Sequence, residues 1–347
     1  MNFNLDRRHF ITTAVLGSAM LGLHPNVLGS QYQETLSNLL VTENGRKLTK
    51  AAQWKRHRKI IKKRWLDYLG ALKPNTAAPA IKVLKEDSQE GLIRQLIEYE
   101  AEPGLNVQAY LLKPQNITEP LPAIVALHST SDNQMLYIAG VEKGEIVAFG
   151  YNLAKQGYVV ICPMCFLWHE REGRNGEEMT RLFQERHPGS KGMAKMLYDA
   201  QRAVDVLVSL KEVDRNRIGA TGHSLGAKEA FYLGAFDDRI KVIVSNEGGI
   251  GIDFSNWDDI WYLGREIHQF GHQHHEVLSL VAPKPFLLIG GDSADGEKSR
   301  PYIEAVRPVY KILGENHMKI DLYNHGSGHS VHPSAEKLTY QWFNDYL

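Results

Sequence analysis

Residues 219–228 read Gly219-Ala220-Thr221-Gly222-His223-Ser224-Leu225-Gly226-Ala227-Lys228. Within them, Gly222-His223-Ser224-Leu225-Gly226 fits the pattern G-x-S-x-G. That pattern carries chemistry only where a strand turns sharply into a helix and lifts the serine hydroxyl above a parallel sheet. The flanks supply this setting. Asn216 to Thr221 reads as a short buried strand, and the Ala/Leu-rich run Leu225 to Ala235 reads as a helix. The two glycines are required because strand and helix backbones crowd at such a turn. Ser224 is therefore the candidate nucleophile.

Strands and helices alternate on both sides of this point. Leu92 to Glu100 and Val107 to Leu112 flank a Glu102-Pro103-Gly104 turn and predict an antiparallel hairpin. Ala123 to Leu127, Tyr158 to Cys162, Ile240 to Val244, Pro285 to Ile289 and Met318 to Tyr323 are short apolar runs, as expected of strands buried on both faces. Lys191 to Leu210 has helical periodicity, and Ala335 to Tyr346 predicts a closing helix. The alternation predicts an α/β fold with a doubly wound, mostly parallel sheet over residues 91–347.

Ahead of it, residues 31–90 read as a helical extension. Trp54, Ile61, Trp65 and Leu69 fall near helical spacing, and the basic run Lys55 to Arg64 between them reads as a solvated helix face. Residues 1–30 read as an export signal. Arg7 and Arg8 form a twin arginine, Ile11 to Leu23 is apolar but too short to span a bilayer, and small residues follow near Ser30. The expected location is periplasmic or extracellular, without stable membrane insertion after cleavage. The chain has 347 residues, 43% of them apolar, so a sizeable core is expected. Its 40 basic and 40 acidic residues balance, and nothing in that balance points to a nucleic-acid partner. The two cysteines, Cys162 and Cys165, end a strand and enter a loop, which favours buried thiols or a local disulfide over a redox or metal role.

A serine hydroxyl needs a base, and in this fold the order along the chain is serine, acid, histidine. His329, in the loop Asn324 to Ser330 after the last strand, is the candidate base, with His325 as fallback. Two loops offer the acid: Glu247 in Ser245-Asn246-Glu247-Gly248-Gly249, and Asp295 in Gly290-Gly291-Asp292-Ser293-Ala294-Asp295, where Asp292 is a further possibility. Both loops follow strands at the carboxyl edge of the sheet, where open α/β folds bind ligands. The oxyanion formed in acyl transfer needs two donors. The backbone amides of Leu225 and Ser129 are the candidates, with Thr130 as alternative. His268, His272, His274 and His275 cluster without the H-E-x-x-H pattern, so no metal is expected and pocket-lining or capping roles are.

Together these segments resemble the α/β-hydrolase superfamily. Within it, Gly222 to Gly226, Ser245 to Gly249, His274 to Pro285 and Ala294-Asp295-Gly296 are similar to bacterial carbohydrate esterases related to dienelactone hydrolases, acetyl xylan esterases and glucuronoyl esterases. The resemblance implies a cofactor-free serine esterase acting on acetyl or glucuronoyl esters of plant polysaccharides or their fragments. The glucuronoyl esterases imply Glu247 as the acid; most other relatives imply Asp295. Where glucuronoyl esterases carry arginine after the nucleophile this chain has Leu225, which implies a broader ester class. His128, Trp168, Trp257 and His275 are the expected substrate-binding residues. The alternatives are a peptidase of the prolyl-oligopeptidase type, whose propeller repeats are not seen here, and an inactive sugar-binding homologue.

Overall fold

The computed structural model describes residues 36–75, 77–131, 134–143, 147–168, 173–314 and 319–347. The predicted export signal lies outside them. One sheet of nine strands organises the chain: β1 (Ile81–Gln89), β2 (Leu92–Glu102), β3 (Leu105–Pro114), β4 (Leu121–Leu127), β5 (Val159–Pro163), β6 (Val213–His223), β7 (Ile240–Asn246), β8 (Phe286–Gly290) and β9 (Ile320–Asn324). Their spatial order is β1-β2-β3-β5-β4-β6-β7-β8-β9. The first three and the β3–β5 pair run antiparallel, and β5, β4, β6, β7, β8 and β9 run parallel. β4, β5 and β8 are nearly continuous apolar runs, as strands covered by helices on both faces are.

The helices divide between two cores. On one face, α1 (Ala51–Leu69), α4 (Gly176–Arg186), α5 (Gly192–Ser209), α6 (Leu225–Phe236), α7 (His274–Val281) and α8 (Arg300–Ile312) pack over the sheet. On the other lie α2 (Gln134–Ile138), α3 (Phe149–Lys155) and α9 (Pro333–Tyr346). Among the described residues no helix is long and apolar enough to cross a membrane.

The segment before the hairpin differs from the predicted helical extension over 31–90. Only α1 is helical. Residues 36–48 are turns closed by a Val41–Lys47 bridge, and β1 joins the sheet beside β2. β1 is largely exposed on both faces and rich in Lys, Glu and Asp, so it shows no alternation; charged edge strands resist pairing with other chains. In α1, Trp54, Ile61, Trp65 and Leu69 form the buried stripe. Three members of its basic run turn toward the protein: Arg58 donates to the Leu280 carbonyl (2.8 Å), Lys62 to the Phe236 carbonyl (3.0 Å), and Arg64 to Glu276 (3.0 Å). Trp65 Nε1 adds a bond to the same Glu276 (3.0 Å). α1 is thus riveted to α7 by polar as well as apolar contacts.

Candidate active site

The site is built at the carboxyl edge of β6, β7 and β8. Ser224 sits between β6 and α6 with φ 57° and ψ −115°, a conformation that L-residues adopt only under strain. The glycines around it are a packing necessity. A Cβ on Gly222 would lie 2.2 Å from the Gly226 carbonyl oxygen, and one on Gly226 would lie 2.1 Å from that of Leu127. The second contact brings the loop after β4, which carries Ser129, against the start of α6. The Ser224 amide is fixed by the Asn246 carbonyl of β7 (2.9 Å).

Ser224 Oγ lies 2.9 Å from His329 Nε2, and His329 Nδ1 lies 3.1 Å from Glu247 Oε2. A carboxylate only accepts, so Nδ1 carries the imidazole proton and Nε2 is free to accept from the hydroxyl. Glu247 is fully buried, also at positive φ (56°), and its other bonds come from the amides of Gly291 and Ala294 (2.6 Å to the latter). Burial alone would raise its pKa. The bonds from His329, Gly291 and Ala294 outweigh burial and hold the carboxyl below the usual range.

Asp295, the other candidate acid, does not meet His329. Its oxygens accept from the amides of Gly249 (2.6 Å) and Ile250 (2.9 Å) and from Ser299 Oγ (2.7 Å), and burial raises its pKa. It ties down the loop that carries Glu247. Asp292, at φ 63°, accepts from Asn324 Nδ2 (2.7 Å). His325 Nδ1 accepts from the Ser327 amide within its own loop (3.2 Å). That loop is anchored to β8 by bonds from the His325 amide to Gly290 O (2.8 Å) and from the Gly328 amide to Gly291 O (2.7 Å). A side chain at Gly291 would lie 1.9 Å from the Gly328 oxygen.

Of the two oxyanion candidates, the Leu225 amide opens the first turn of α6, where helix amides point outward unpaired. Ser129 is buried, and its carbonyl accepts from His128 Nδ1 (2.8 Å). His128 Nε2 accepts from the Cys165 amide (2.9 Å). With both ring nitrogens engaged inside the protein, His128 braces the Ser129 loop rather than presenting a substrate contact. Two other expected substrate contacts are also corrected. Trp257 is a core residue whose Nε1 donates to the Gly249 carbonyl (2.6 Å). His275 is buried under the segment before α1, 2.9 Å from Ser37 Oγ. Trp168 packs edge-on against His128 (5.2 Å between ring centres) and is 7% exposed; its Nε1–H has no partner among the described residues.

The histidine cluster disperses. His274 joins Tyr232 Oη (2.8 Å) to the Ile250 carbonyl (2.8 Å), His272 meets Glu276 (3.0 Å), and His268 meets Asp258 (3.4 Å). No group among the described residues is arranged to hold a metal ion. Cys162 and Cys165 are buried free thiols whose pKa values burial pushes up. Two residues escaped the sequence reading. Lys228, one turn along α6 from Ser224, is buried with Nζ 2.8 Å from Ser255 Oγ and 4.0 Å from the Trp257 ring centre, and burial pulls its pKa to about 7. Its i+4 spacing from the serine was the available signal. His223 left no signal beyond its place next to Ser224; its ring nitrogen Nε2 lies 2.6 Å from the His329 carbonyl.

A strand order of β1-β2-β3-β5-β4-β6-β7-β8-β9, a strained serine elbow after β6 and helices on both faces define the α/β-hydrolase fold. Residues 107–258 match the model of the dienelactone hydrolase family. It is 27% identical over 230 residues to YtaP, a Bacillus subtilis protein named as a hydrolase, covering 63% of this chain and 75% of that protein. It is 24% identical to a 4-O-methyl-glucuronoyl methylesterase of Phanerochaete carnosa, covering 45% of this chain and 46% of that enzyme, so the match spans about half of its length. The solved glucuronoyl esterase from Solibacter usitatus shares the fold with a TM-score of 0.71 at 18% identity, over 89% of this chain and 97% of that one.

Proposed function

We propose that the chain is an exported serine esterase acting on acetyl or glucuronoyl esters carried by plant polysaccharides or their fragments. The observation that carries this reading is the hydrogen-bonded series Ser224 Oγ, His329, Glu247. In it, Ser224 Oγ attacks the ester carbonyl as His329 Nε2 takes its proton. Glu247 holds the imidazole in the required tautomer and stabilises the imidazolium. The Leu225 and Ser129 amides receive the oxyanion, each worth about 3 kcal/mol in the transition state. His329 then returns the proton to the departing alcohol. A water, deprotonated by His329 in turn, attacks the acyl-Ser224 ester and releases the acid. No cofactor enters these steps.

A substrate joined to a polymer suits the openness of this site. The His329 side chain is 45% exposed while the acid behind it is sealed, so the base faces solvent rather than a closed cavity. The names of the relatives favour a sugar-borne ester, and Leu225 after the nucleophile favours a broader ester range. The twin arginine at Arg7 and Arg8 supports export. The test is turnover of p-nitrophenyl acetate, acetylated xylan and methyl glucuronate esters by wild type and Ser224→Ala. Ser224→Ala is expected to lose at least about 10⁴-fold in kcat. A variant as active as wild type would remove the nucleophile assignment, and inactivity of the wild type on both sugar esters would remove the substrate class.

A further inference from the structure

We infer that His223 is a positioning residue for the base: its Nε2–H, donated to the main-chain carbonyl of His329, sets the distance between the two reacting side chains. The inference rests on the reading of Ser224 and His329 given above.

The geometry is direct. His223 ends β6 and is the residue before Ser224, so the backbone that fixes the nucleophile also fixes the His223 ring. Its Nε2 lies 2.6 Å from the His329 carbonyl oxygen, and the two imidazole centres are 4.9 Å apart. A carbonyl only accepts, so Nε2 must carry the hydrogen, and the neutral ring leaves Nδ1 bare. Nδ1 is buried without a partner, so the only bond this ring makes among the described residues is the one to residue 329. A buried ring kept with one nitrogen unsatisfied calls for a reason, and holding the base supplies it.

Among the described residues, the other main-chain anchors of the same loop come from the β8 side. The amides of His325 and Gly328 bond to the carbonyls of Gly290, which ends β8, and Gly291, which follows it, and Asn324 Nδ2 bonds to Asp292. Glu247, from β7, grips the His329 ring itself at Nδ1. Of the main-chain bonds to the loop among the described residues, the one from His223 alone crosses from the nucleophile's strand, and it lands on the base residue. Without it, the Ser224–His329 separation depends on loops hung from β7 and β8. The ring also suits the charge that develops during turnover. Burial, reinforced by the neighbouring His329, pulls the His223 pKa down to about 4. A neutral His223 therefore faces the imidazolium formed at His329, and the nearby carboxylate is Glu247.

The test compares four variants on p-nitrophenyl acetate, with thermal melts and with labelling of Ser224 by a fluorophosphonate. His223→Leu keeps bulk and removes the donor. His223→Gln keeps an amide N–H near the reach of Nε2. His223→Asn keeps the amide but falls short. Ser224→Ala tests the underlying reading. We expect His223→Leu and His223→Asn to lose about 10- to 100-fold in kcat and in labelling rate, with KM within twofold, because misplacement of this order costs that much. His223→Gln is expected to recover to within about fivefold of wild type. Wild-type kcat in His223→Leu, equal impairment of His223→Gln and His223→Leu, or an effect confined to KM overturns the inference. If His223→Leu does not fold, the Gln and Asn pair decides it alone. Loss of activity in Ser224→Ala together with full activity in His223→Leu removes the His223 role and leaves the nucleophile standing; full activity in Ser224→Ala removes both.

Discussion

The loops after β7 and β8 each carry a buried carboxylate, and the two are nearly mirror images in what they bind. Glu247, after β7, accepts from the amides of Gly291 and Ala294 in the loop after β8. Asp295, after β8, accepts from the amides of Gly249 and Ile250 in the loop after β7. Each acid clasps the other's loop. Burial is complete for both, and both occupy the sheet edge where a catalytic acid belongs. They differ in the third bond. Glu247 spends its own on His329, at 3.1 Å, and Asp295 on Ser299, at 2.7 Å. Charge follows the difference: the bonds to Glu247 overcome burial and depress its pKa, and those to Asp295 do not overcome burial. Being a buried acid in the right loop is therefore not enough to reach His329; the partner on the remaining oxygen separates the two.

The largest expected effect on this contrast is in catalysis. Glu247→Ala should lower kcat for p-nitrophenyl acetate by about 10⁴-fold, the size expected when the imidazole loses its orienting carboxylate. Asp295→Ala should stay within about tenfold of wild type, because its contact with the reaction passes only through a loop. Equal losses in the two variants would abolish the distinction. In urea unfolding the same two variants should be alike: Glu247→Ala leaves the Gly291 and Ala294 amides unpaired and Asp295→Ala those of Gly249 and Ile250, at about 1–3 kcal/mol for each amide.

Acid titration sharpens the comparison, because the two groups have opposite signs. The Glu247 pKa is depressed below its ordinary 4.5, so its stabilisation is present above pH 4.5 and lost as pH falls through the folded value. The Asp295 pKa is raised above its ordinary 3.8, so its ionisation opposes folding as pH rises, and protonation on acidification restores stability. Glu247→Gln should therefore flatten the loss of stability below pH 4.5, and Asp295→Asn should steepen it. Each effect is at most about 1.4 kcal/mol per pH unit, read from urea midpoints across the acid range. Ser299→Ala is expected to cost about 1 kcal/mol of stability with kcat unchanged, since it removes one bond to the carboxylate that does not touch His329.

How much of this was legible in the sequence follows the range of the interactions. The elbow was readable because its glycines, strand and helix are consecutive. The parallel strands and α5, α6 and α9 were readable from apolar runs and helical spacing. Which carboxylate meets His329 was not, because Glu247 and Asp295 sit in equivalent loops and only the fold brings one of them to that ring. Segment 36–48 resembled helix by lacking alternation, and β1 was hidden because an edge strand exposed on both faces has no apolar period. Trp257 and His275 were misread for a related reason. Aromatic and imidazole rings near a site look the same in sequence whether they face solvent or, like these two, are enclosed.

The reciprocal clasp also limits how this architecture can diversify. Adding or deleting a residue between positions 247 and 250, or between 291 and 295, would pull a carboxylate off the opposite loop, so the two lengths are locked to one another. The long excursion from 251 to 273 lies outside both grips.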